Sequence, residues 1–304
     1  MVHRFTADDV PDQTGRTFVV TGANTGIGFE AAKVLATRGG RVLLACRSQA
    51  KADAACGAIR QVTPDADVEV VLLDLGDLAS IRAAAETIAR EPRLDALINN
   101  AGLMMPPREM TADGFESQFG VNHLGTFALT GLLFERLCQE DGAPRIVITS
   151  SNAHKAGTIH FRDPNAEQKY SRWDRYAMSK LANLLHAQEL ARRIAARGLK
   201  VRAIACHPGA SATELGRHMP GPLAMLFPLA GPLLNSASQG AWSTLAAATA
   251  PDAANGDYLG PQDRMEWAGP VGAASMSNRA RDEKLAERLW ALSDKMTGMM
   301  YPGL

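Results

Sequence analysis

The chain of 304 residues lacks several features that would assign it to a specialised class of protein. Its four cysteines are scattered, without a CxxC pair or any spacing typical of zinc or of a disulfide framework, which favours a reducing cytosol. Neither charge sign is in excess, because 32 acidic residues balance 32 lysines and arginines. This balance removes the electrostatic argument for nucleic acid or an anionic membrane surface. The seven histidines form no HExxH or comparable ligand set, so we expect no metal site.

Long apolar runs are missing as well. The polar N-terminus carries no apolar stretch of signal-peptide or transmembrane length. The most apolar stretch, Gly221 to Leu234, is interrupted by Pro222, Pro228 and Pro232 and cannot be a regular spanning helix. No linker or charge run divides the chain. We therefore expect a soluble, cytoplasmic protein with one domain over residues 1–304.

What the chain does contain is an alternation of short aliphatic runs with longer amphipathic or Ala-rich stretches, starting at Thr17. This order is typical of βαβ units around a parallel sheet. Six strands are predicted: Thr17–Thr21, Arg41–Cys46, Glu69–Leu73, Ala96–Asn99, Arg145–Ser150 and Lys200–Cys206. A seventh, short strand is predicted near Tyr258–Gly260. The predicted helices are Gly28–Arg38, Ser48–Val62, Asp77–Ala89, Glu116–Cys138, Tyr176–Arg197 and Asp282–Thr297.

The predicted fold class is α/β: a Rossmann-type, doubly wound domain with a mainly parallel seven-stranded sheet flanked by helices. Residues 14–150 would form most of the cofactor half and residues 151–304 the catalytic and substrate half. Three stretches lie outside the alternation: the N-terminal tail, Asn152–Arg175 and Glu214–Asn235. Because long irregular insertions are more often functional than accidental, we expect substrate specificity there.

A glycine-rich turn follows the first predicted strand and opens the first helix. Glycines at this junction let the backbone approach a pyrophosphate, whose charge is met by backbone amides at the positive end of the helix. A purely structural turn is the alternative, but the strand before it and the helix after it favour a dinucleotide site. The predicted cofactor residues of this turn are Gly22, Asn24, Thr25, Gly26, Ile27 and Gly28.

The second strand ends in Arg47-Ser48, where an NAD enzyme usually presents an acidic residue to the adenosine ribose. The planar cation of Arg47 can instead engage a 2′-phosphate, so NADP(H) is predicted in preference to NAD(H). A surface arginine at a strand end is the alternative.

Two further strand ends contribute candidate cofactor residues. Asp74 could accept a hydrogen bond from the adenine amino group, and small residues let the backbone pass close to a ribose. Taken singly, each motif could equally be a helix cap or a turn. The residues are Asp74, Leu75, Asn100, Ala101 and Gly102.

A tyrosine and a lysine follow one helical turn apart. Tyr176 and Lys180 are spaced i,i+4, which places both on one face of a helix. A nearby ammonium lowers the pKa of a phenol, which is otherwise about 10, so such a pair can transfer protons near neutral pH. Alone the pattern is weak, because such pairs usually lie on a solvated helix face.

Together these residues make the sequence resemble the short-chain dehydrogenase/reductase family over almost the whole chain. The motifs are TGANTGIG at 21–28, NNAG at 99–102, Asn122 in Val-Asn-His, Ser150-Ser151, YAMSK at 176–180 and PGASAT at 208–213. Within the family the chain is most similar to the retinol dehydrogenase and WW-domain oxidoreductase branch. That similarity rests on ACR at 45–47, His154 with Ile159-His160-Phe161, YAMSKLAN at 176–183, HPG at 207–209, Ala280-Arg281-Asp282 and Arg288-Leu289-Trp290.

The resemblance implies roles for these residues. Tyr176 would be the general acid in reduction and the base in oxidation, and Lys180 would also hold the nicotinamide ribose. Ser151 would orient the substrate oxygen, with Ser150 as the alternative. Asn122 would anchor a water that passes protons to Lys180. The nicotinamide carboxamide would be held by Pro208, Gly209 and Thr213.

The substrate is predicted only as a class. Leu215 to Leu234 is rich in Leu, Met, Phe and Pro, in the place where the family carries a substrate lid, which favours a lipophilic carbonyl or alcohol. These residues could instead pack against a second subunit or the core. The predicted helices Glu116–Cys138 and Tyr176–Arg197 are apolar over more than one face. In many members of the family these helices pair across a two-fold axis, so the resemblance implies a homodimer or homotetramer, with a monomer, as in several relatives of this branch, as the alternative. Two functional alternatives stay open: reduction of an activated carbon–carbon double bond, and a non-catalytic NADP(H)-sensing protein.

Overall fold

A computed structural model of the protein describes residues 1–210 and 235–304. In those residues eight strands form one sheet. They are β1 (Thr17–Thr21), β2 (Arg41–Cys46), β3 (Val68–Leu72), β4 (Ala96–Asn99), β5 (Arg145–Thr149), β6 (Arg202–Cys206), β7 (Tyr258–Asp263) and β8 (Ala268–Ala273). The order across the sheet is β3-β2-β1-β4-β5-β6-β7-β8. All neighbours are parallel except β7 and β8.

The helices are numbered in chain order through the described residues. They are α1 (Gly26–Thr37), α2 (Gln49–Val62), α3 (Leu78–Ala89), α4 (Ser117–Phe119), α5 (Thr126–Cys138), α6 (Arg172–Ala196), α7 (Ala237–Thr249) and α8 (Glu283–Thr297). A π-helical segment, Gly120–Gly125, joins α4 to α5. None of the helices in these two ranges is long and apolar enough to cross a membrane.

The sheet separates two apolar layers because successive strand residues point to opposite faces. In β1, Val19 packs with α3, α5, α6 and α8, whereas Phe18 and Val20 pack with α1, α2 and α7. The predicted doubly wound architecture is confirmed. Its strand order reverses between β1 and β4, and in open α/β sheets ligands bind beside the carboxyl ends of the strands at such a point.

The predicted number of strands was wrong. A hairpin adds β8 antiparallel to β7, giving eight strands instead of seven. The sequence of β8, Ala-Gly-Pro-Val-Gly-Ala, has neither an apolar run nor a clear alternation, so no strand pattern marked it. The Ala-rich helix α7 was also missed, although Ser236 and Gln239 form a capping box at its start.

Two predicted helices also differ from the structure. The continuous helix over Glu116–Cys138 is interrupted by the π-helical segment, and the helix expected from Tyr176 begins at Arg172. The first turn of α6 is set by Ser171, whose side chain accepts a hydrogen bond from the Asp174 amide. Most other boundaries agree within two residues, as expected for helix and strand ends.

The N-terminal tail, predicted to lie outside the regular elements, belongs to the core. Val2, Phe5 and Val10 are buried in the layer beneath α7, and Phe5 pairs with Val271 of β8 through two backbone hydrogen bonds of 2.9 Å. The predicted lid over Leu215 to Leu234 lies outside the described residues.

Candidate active site

The glycine-rich turn between β1 and α1 is built for close approach. Gly22 and Gly26 have positive φ angles of 68° and 60°, which favour glycine. A Cβ on Gly28 would lie 2.5 Å from Asn100 Nδ2 and from the Gly22 carbonyl oxygen, so this position also requires glycine. Thr25, the N-cap of α1, makes no side-chain cap hydrogen bond. The backbone amides and dipole of this helix start therefore face the cleft at the switch point.

A cleft of about 440 Å³ runs along the carboxyl ends of β2, β1 and β4. Most of the residues predicted to bind the cofactor line it, and the structure thus brings five separate segments of the sequence to one place. The predicted residues that line the cleft are Gly22, Asn24, Thr25, Gly26, Ile27, Gly28, Arg47, Ser48, Asp74, Leu75, Asn100, Ala101, Gly102, Tyr176 and Lys180.

One end of the cleft carries two cations. Arg47 and Lys51 both line it, beside Ser48, the N-cap of α2, whose side chain makes no cap hydrogen bond. Among the described residues that line the cleft, Asp74 is the sole acid, and its Oδ1 accepts a hydrogen bond of 2.8 Å from the Gly76 amide. This end can therefore bind an anion between a guanidinium and an ammonium. Lys51 was missed from the sequence, although it follows Arg47 by four residues.

The other end of the cleft is formed by Tyr176 and Lys180 on one face of α6. Both side chains are buried, and the Lys180 ammonium lies 5.7 Å from the centre of the Tyr176 ring. Lys180 Nζ also donates a hydrogen bond of 3.4 Å to the carbonyl oxygen of Thr149 at the end of β5. The pair is thus inside the site rather than on a solvated helix face.

Asn122 lies in the π-helical segment and fixes the wall opposite α6. Its Oδ1 accepts from the Leu103 amide at 2.6 Å, and its Nδ2 donates to the Leu103 carbonyl oxygen and to Ser179 Oγ, each at 2.9 Å. A Cβ on Gly102 would lie 3.2 Å from Asn122 Oδ1 and 3.4 Å from Lys180 Nζ, so these two side chains meet at Gly102. π-Helical turns inside α-helices are frequent at functional sites.

The two serines after β5 have different surroundings. Ser150 is buried, and its Oγ donates a hydrogen bond of 2.8 Å to the carbonyl oxygen of Lys180. Ser151 is half-buried and caps the short 3-10 helix Asn152–Ala156 by accepting from the Ala153 amide at 3.2 Å. Ser151 does not line the 440 Å³ cleft. Ala153, two residues later, packs against Tyr176.

His154 connects the Ser151 turn to the C-terminal part of the chain. Its Nε2 accepts a hydrogen bond of 3.3 Å from the Ser277 amide, so the proton lies on Nδ1, which donates to the Ser151 carbonyl oxygen at 2.7 Å. Burial lowers the pKa of His154, which keeps the ring neutral. The hydroxyl of Tyr258 lies 3.4 Å from the same Nδ1.

The Pro208-Gly209 turn follows β6 but does not line the cleft. A Cβ on Gly240 would lie 3.2 Å from Ile27 and 3.5 Å from Pro208, which places the turn close to the glycine-rich loop. Gly209 has a φ of 77°, and a Cβ there would lie 2.3 Å from the carbonyl oxygen of Trp267. Thr213, predicted to complete this part of the site, lies outside the described residues.

Comparison with known proteins decides the family. The family model described as short chain dehydrogenase matches residues 16–220. The chain belongs to the short-chain dehydrogenase family. Mouse retinol dehydrogenase 12 is 46% identical over 290 residues, covering 94% of this chain and 88% of that protein. Human retinol dehydrogenase 13 is 43% identical over 299 residues, covering 95% and 87%.

Solved structures agree with this assignment. A crystal structure of an uncharacterised protein from Mycobacterium paratuberculosis superimposes with a TM-score of 0.83 at 41% identity, covering 99% of this chain and 100% of that one. A short chain dehydrogenase from Shigella flexneri, crystallised with NADP, gives a TM-score of 0.63 at 26% identity, covering 82% and 98%. This short-chain dehydrogenase is thus an oxidoreductase of the retinol dehydrogenase-like branch, in a family that uses nicotinamide cofactors.

Several residues of the site were not predicted from the sequence. Leu103, Met104 and Val121 line the cleft, and Met104 and Met105 also pack against Tyr176. They follow the NNAG motif or fall within the π-helical segment, where neither periodicity nor spacing distinguishes a cleft residue from a core residue. Met105 has a φ of 52°, unusual for a residue with a side chain.

Proposed function

We propose that this short-chain dehydrogenase interconverts an alcohol and a carbonyl with NADP(H), using Tyr176 as the proton-transferring residue. The observation that carries the proposal is the placement of Tyr176 and Lys180. Both line the same cleft as the glycine-rich turn, and the ammonium lies 5.7 Å from the centre of the phenol ring. A bound nicotinamide cofactor supplies or accepts the hydride. The protein must then supply the proton and hold the substrate oxygen.

The proposal assigns a role to each side chain of the site. Tyr176 donates a proton to the developing alkoxide during reduction and takes it back during oxidation. Lys180 stabilises the phenolate that this transfer leaves, and Ser151 donates a hydrogen bond to the substrate oxygen. Asn122 fixes Leu103 and the wall near Lys180, in the position where the family resemblance implies a proton-carrying water. Pro208, Gly209 and Thr213 would hold the nicotinamide carboxamide.

NADP(H) rather than NAD(H) is supported by the charge at the adenosine end of the cleft. Arg47 and Lys51 can share a 2′-phosphate, which carries negative charge and several acceptor oxygens. An acid that binds the ribose of NAD is expected at the end of β2, whereas Asp74 follows the end of β3. Its carboxylate also accepts a hydrogen bond from the Gly76 amide. The relative from Shigella flexneri was crystallised with NADP.

A lipophilic substrate is supported by the surroundings of Tyr176. Met104, Met105 and Ala153 pack against it, and the ring of Trp173 lies 6.2 Å from the ring of Tyr176, centre to centre. Apolar walls around one polar reacting group are typical of sites for apolar small molecules. Because the named relatives are retinol dehydrogenases, retinol and retinal belong among the first substrates to test.

The test is NADPH absorbance with a panel of lipophilic aldehydes and ketones, retinal included, and the reverse assay with NADP and alcohols. Tyr176→Phe protein serves as the blank. We expect turnover in the unmodified protein, and in the variant a loss of nearly all turnover with NADPH binding retained. Turnover that survives in Tyr176→Phe would overturn the mechanism. An unsaturated ketone in the panel, followed by product analysis, separates carbonyl reduction from reduction of the carbon–carbon double bond.

A further inference from the structure

The hairpin between β7 and β8 has an unusual backbone at its tip. Three consecutive residues with side chains, Arg264, Met265 and Glu266, have positive φ angles of 52°, 56° and 65°. Residues other than glycine avoid this left-handed region, and they persist there only where the surrounding contacts hold them. The tip is therefore held by its contacts, among them those of Glu266.

The side chain of Glu266 reaches the helical turn that follows Ser151. Lys155 Nζ donates to Glu266 Oε2 at 3.0 Å, and Asn152 Nδ2 donates to the Glu266 carbonyl oxygen at 3.2 Å. Both donors belong to the 3-10 helix that Ser151 caps. We define the serine turn as Ser151–Ala156. Glu266 thus holds the serine turn from two points.

The same tip reaches the turn after β6, on the cofactor side. The Ala210 amide donates to the Trp267 carbonyl oxygen at 2.9 Å, and this oxygen is the group that excludes any side chain at Gly209. We define the cofactor turn as His207–Ala210. The hairpin tip therefore contacts both turns.

His207 connects Glu266 to the cofactor turn more directly. Its Nδ1 accepts from the Gly209 amide at 3.2 Å, which leaves the proton on Nε2. This buried Nε2 has no hydrogen-bond partner among the described residues and lies 4.0 Å from Glu266 Oε2. Burial lowers the pKa of His207 to about 3, so the ring is neutral. Within residues 1–210 and 235–304, the Glu266 carboxylate is thus the charged acceptor beside this N–H.

Glu266 is ionised in this setting. Burial by itself raises the pKa of its carboxyl. Hydrogen bonds from Lys155 and from Ser275 lower the pKa by a larger amount, so the pKa of Glu266 lies below its ordinary value. The Ser275 amide donates to Oε1 at 2.8 Å, which ties the carboxylate to the strand-to-loop segment after β8. Its two oxygens therefore face three different parts of the chain.

We propose that Glu266 is a positioning residue that keeps the serine turn and the cofactor turn in register. The proposal rests on the function proposed above, since these turns carry the residue that orients the substrate oxygen and the residues that hold the nicotinamide. Hydride transfer requires the two reactants within a short, defined distance, and small displacements of either one are costly. A carboxylate bonded to one turn and adjacent to the other fixes that distance.

The first test uses Glu266→Ala and Glu266→Gln. We expect Glu266→Ala to lower kcat by about tenfold, because misplaced reactants react slowly even when they bind. Its dissociation constant for NADPH, measured by fluorescence, should change little because the variant leaves Arg47, Lys51 and the glycine-rich turn, which line the other parts of the cleft, unaltered. Glu266→Gln retains acceptor oxygen and should lose less. Asp67→Asn is the matched control, since it breaks an ion pair of 2.6 Å with Arg41 at the opposite edge of the sheet.

The second test does not depend on turnover. Peptide-level hydrogen exchange should show faster exchange in Glu266→Ala at both the serine turn and the cofactor turn, and no such change in Asp67→Asn. Faster exchange at one turn alone would overturn the coupling. A Glu266→Ala protein that melts at a lower temperature, but whose kcat is within about twofold of that of the unmodified protein where both are folded, would also overturn the proposal. If the unmodified protein lacks turnover with every substrate, the proposed function fails, while the exchange result still decides the role of Glu266.

Discussion

The Ser150 hydroxyl donates a hydrogen bond of 2.8 Å to the Lys180 carbonyl oxygen, which fixes β5 against the middle of α6. Ser151, one residue later, is half-buried, and its Oγ accepts a hydrogen bond of 3.2 Å from the Ala153 amide at the start of a 3-10 helix. We therefore expect Ser151 to act in catalysis and Ser150 to act in stability. We expect Ser151→Ala to lower kcat by about 10²-fold, the usual cost of removing a donor to a developing oxyanion.

Ser150→Ala should act on stability instead. Loss of its buried hydrogen bond should lower the free energy of unfolding by about 1 kcal/mol, with most of the turnover retained. Urea denaturation and steady-state kinetics on both variants provide the check. A larger loss of kcat in Ser150→Ala than in Ser151→Ala would move the catalytic assignment to Ser150.

A second prediction concerns the two cations of the adenosine end. Arg47→Ala should raise the KM for NADPH by more than tenfold and leave the KM for NADH nearly unchanged, because a charged hydrogen bond contributes about 1.5–3 kcal/mol. Lys51→Ala should act in the same direction with a smaller effect, because an ammonium lacks the bidentate geometry of a guanidinium. The ratio of kcat/KM for the two cofactors is the measurement. An unchanged ratio in both variants would contradict the NADP(H) preference.

The sequence predicted the parts of the fold that are encoded locally. Strands β1, β2 and β4 were found to the residue, since buried parallel strands are short continuous apolar runs. Strand β8 was not, because it consists of Gly, Pro, Ala and Val and is held by pairing with β7 and with Phe5. Long-range pairing of this kind leaves no periodic signal.

The same limit applied to the candidate site. Motifs gave the glycine-rich turn and the pair on α6, whereas the roles of Lys51, Met104 and Glu266 depend on which segments the fold brings together. The π-helical segment around Asn122 is a further case, because the sequence there follows an ordinary helical pattern.

The apolar helix faces that suggested an oligomer have another explanation in the structure. Phe127 of α5 and His186 of α6 are covered by Trp290 of α8 and by Tyr301 of the C-terminal segment. Tyr301 donates to the Phe127 carbonyl oxygen at 2.8 Å, which fixes the C-terminal segment on α5. Trp290 and Tyr301 of the same chain therefore bury these two side chains.

A third prediction concerns the strained hairpin tip. Met265 has a φ of 56° and is 86% exposed, so replacing it loses little packing. Met265→Gly should raise the free energy of unfolding by about 0.5 kcal/mol, because relief of left-handed strain exceeds the added entropy of glycine in the unfolded chain. Met300→Gly, at a position 82% exposed, is the control for loss of an exposed methionine. Destabilisation by Met265→Gly would show that its side chain contributes contacts.

The last prediction is that two buried histidines, His123 of the π-helical segment and His186 of α6, make the fold sensitive to acid. Burial lowers the pKa of His123 to about 3 and that of His186 well below its ordinary value of 6.5. His123 Nε2 lies 2.8 Å from Ser293 Oγ of α8, and His186 Nε2 lies 2.9 Å from the Tyr301 hydroxyl. Because the folded state holds both rings neutral, the unfolded chain binds more protons below pH 6.5, and stability must fall as the pH falls.

The expected size follows from the shift. Between pH 7.5 and pH 5 the free energy of unfolding should fall by about 2 kcal/mol through His123 alone. The imidazole protonates near pH 6.5 in the unfolded chain but stays neutral in the folded one, and each pH unit below 6.5 costs about 1.4 kcal/mol. Urea denaturation at pH 7.5, 6.0 and 5.0 measures this loss, and His123→Phe should show a shallower decline because it removes one titrating group. A decline of equal slope in His123→Phe and the unmodified protein would mean that other groups, such as the buried His154 and His207, dominate the acid response.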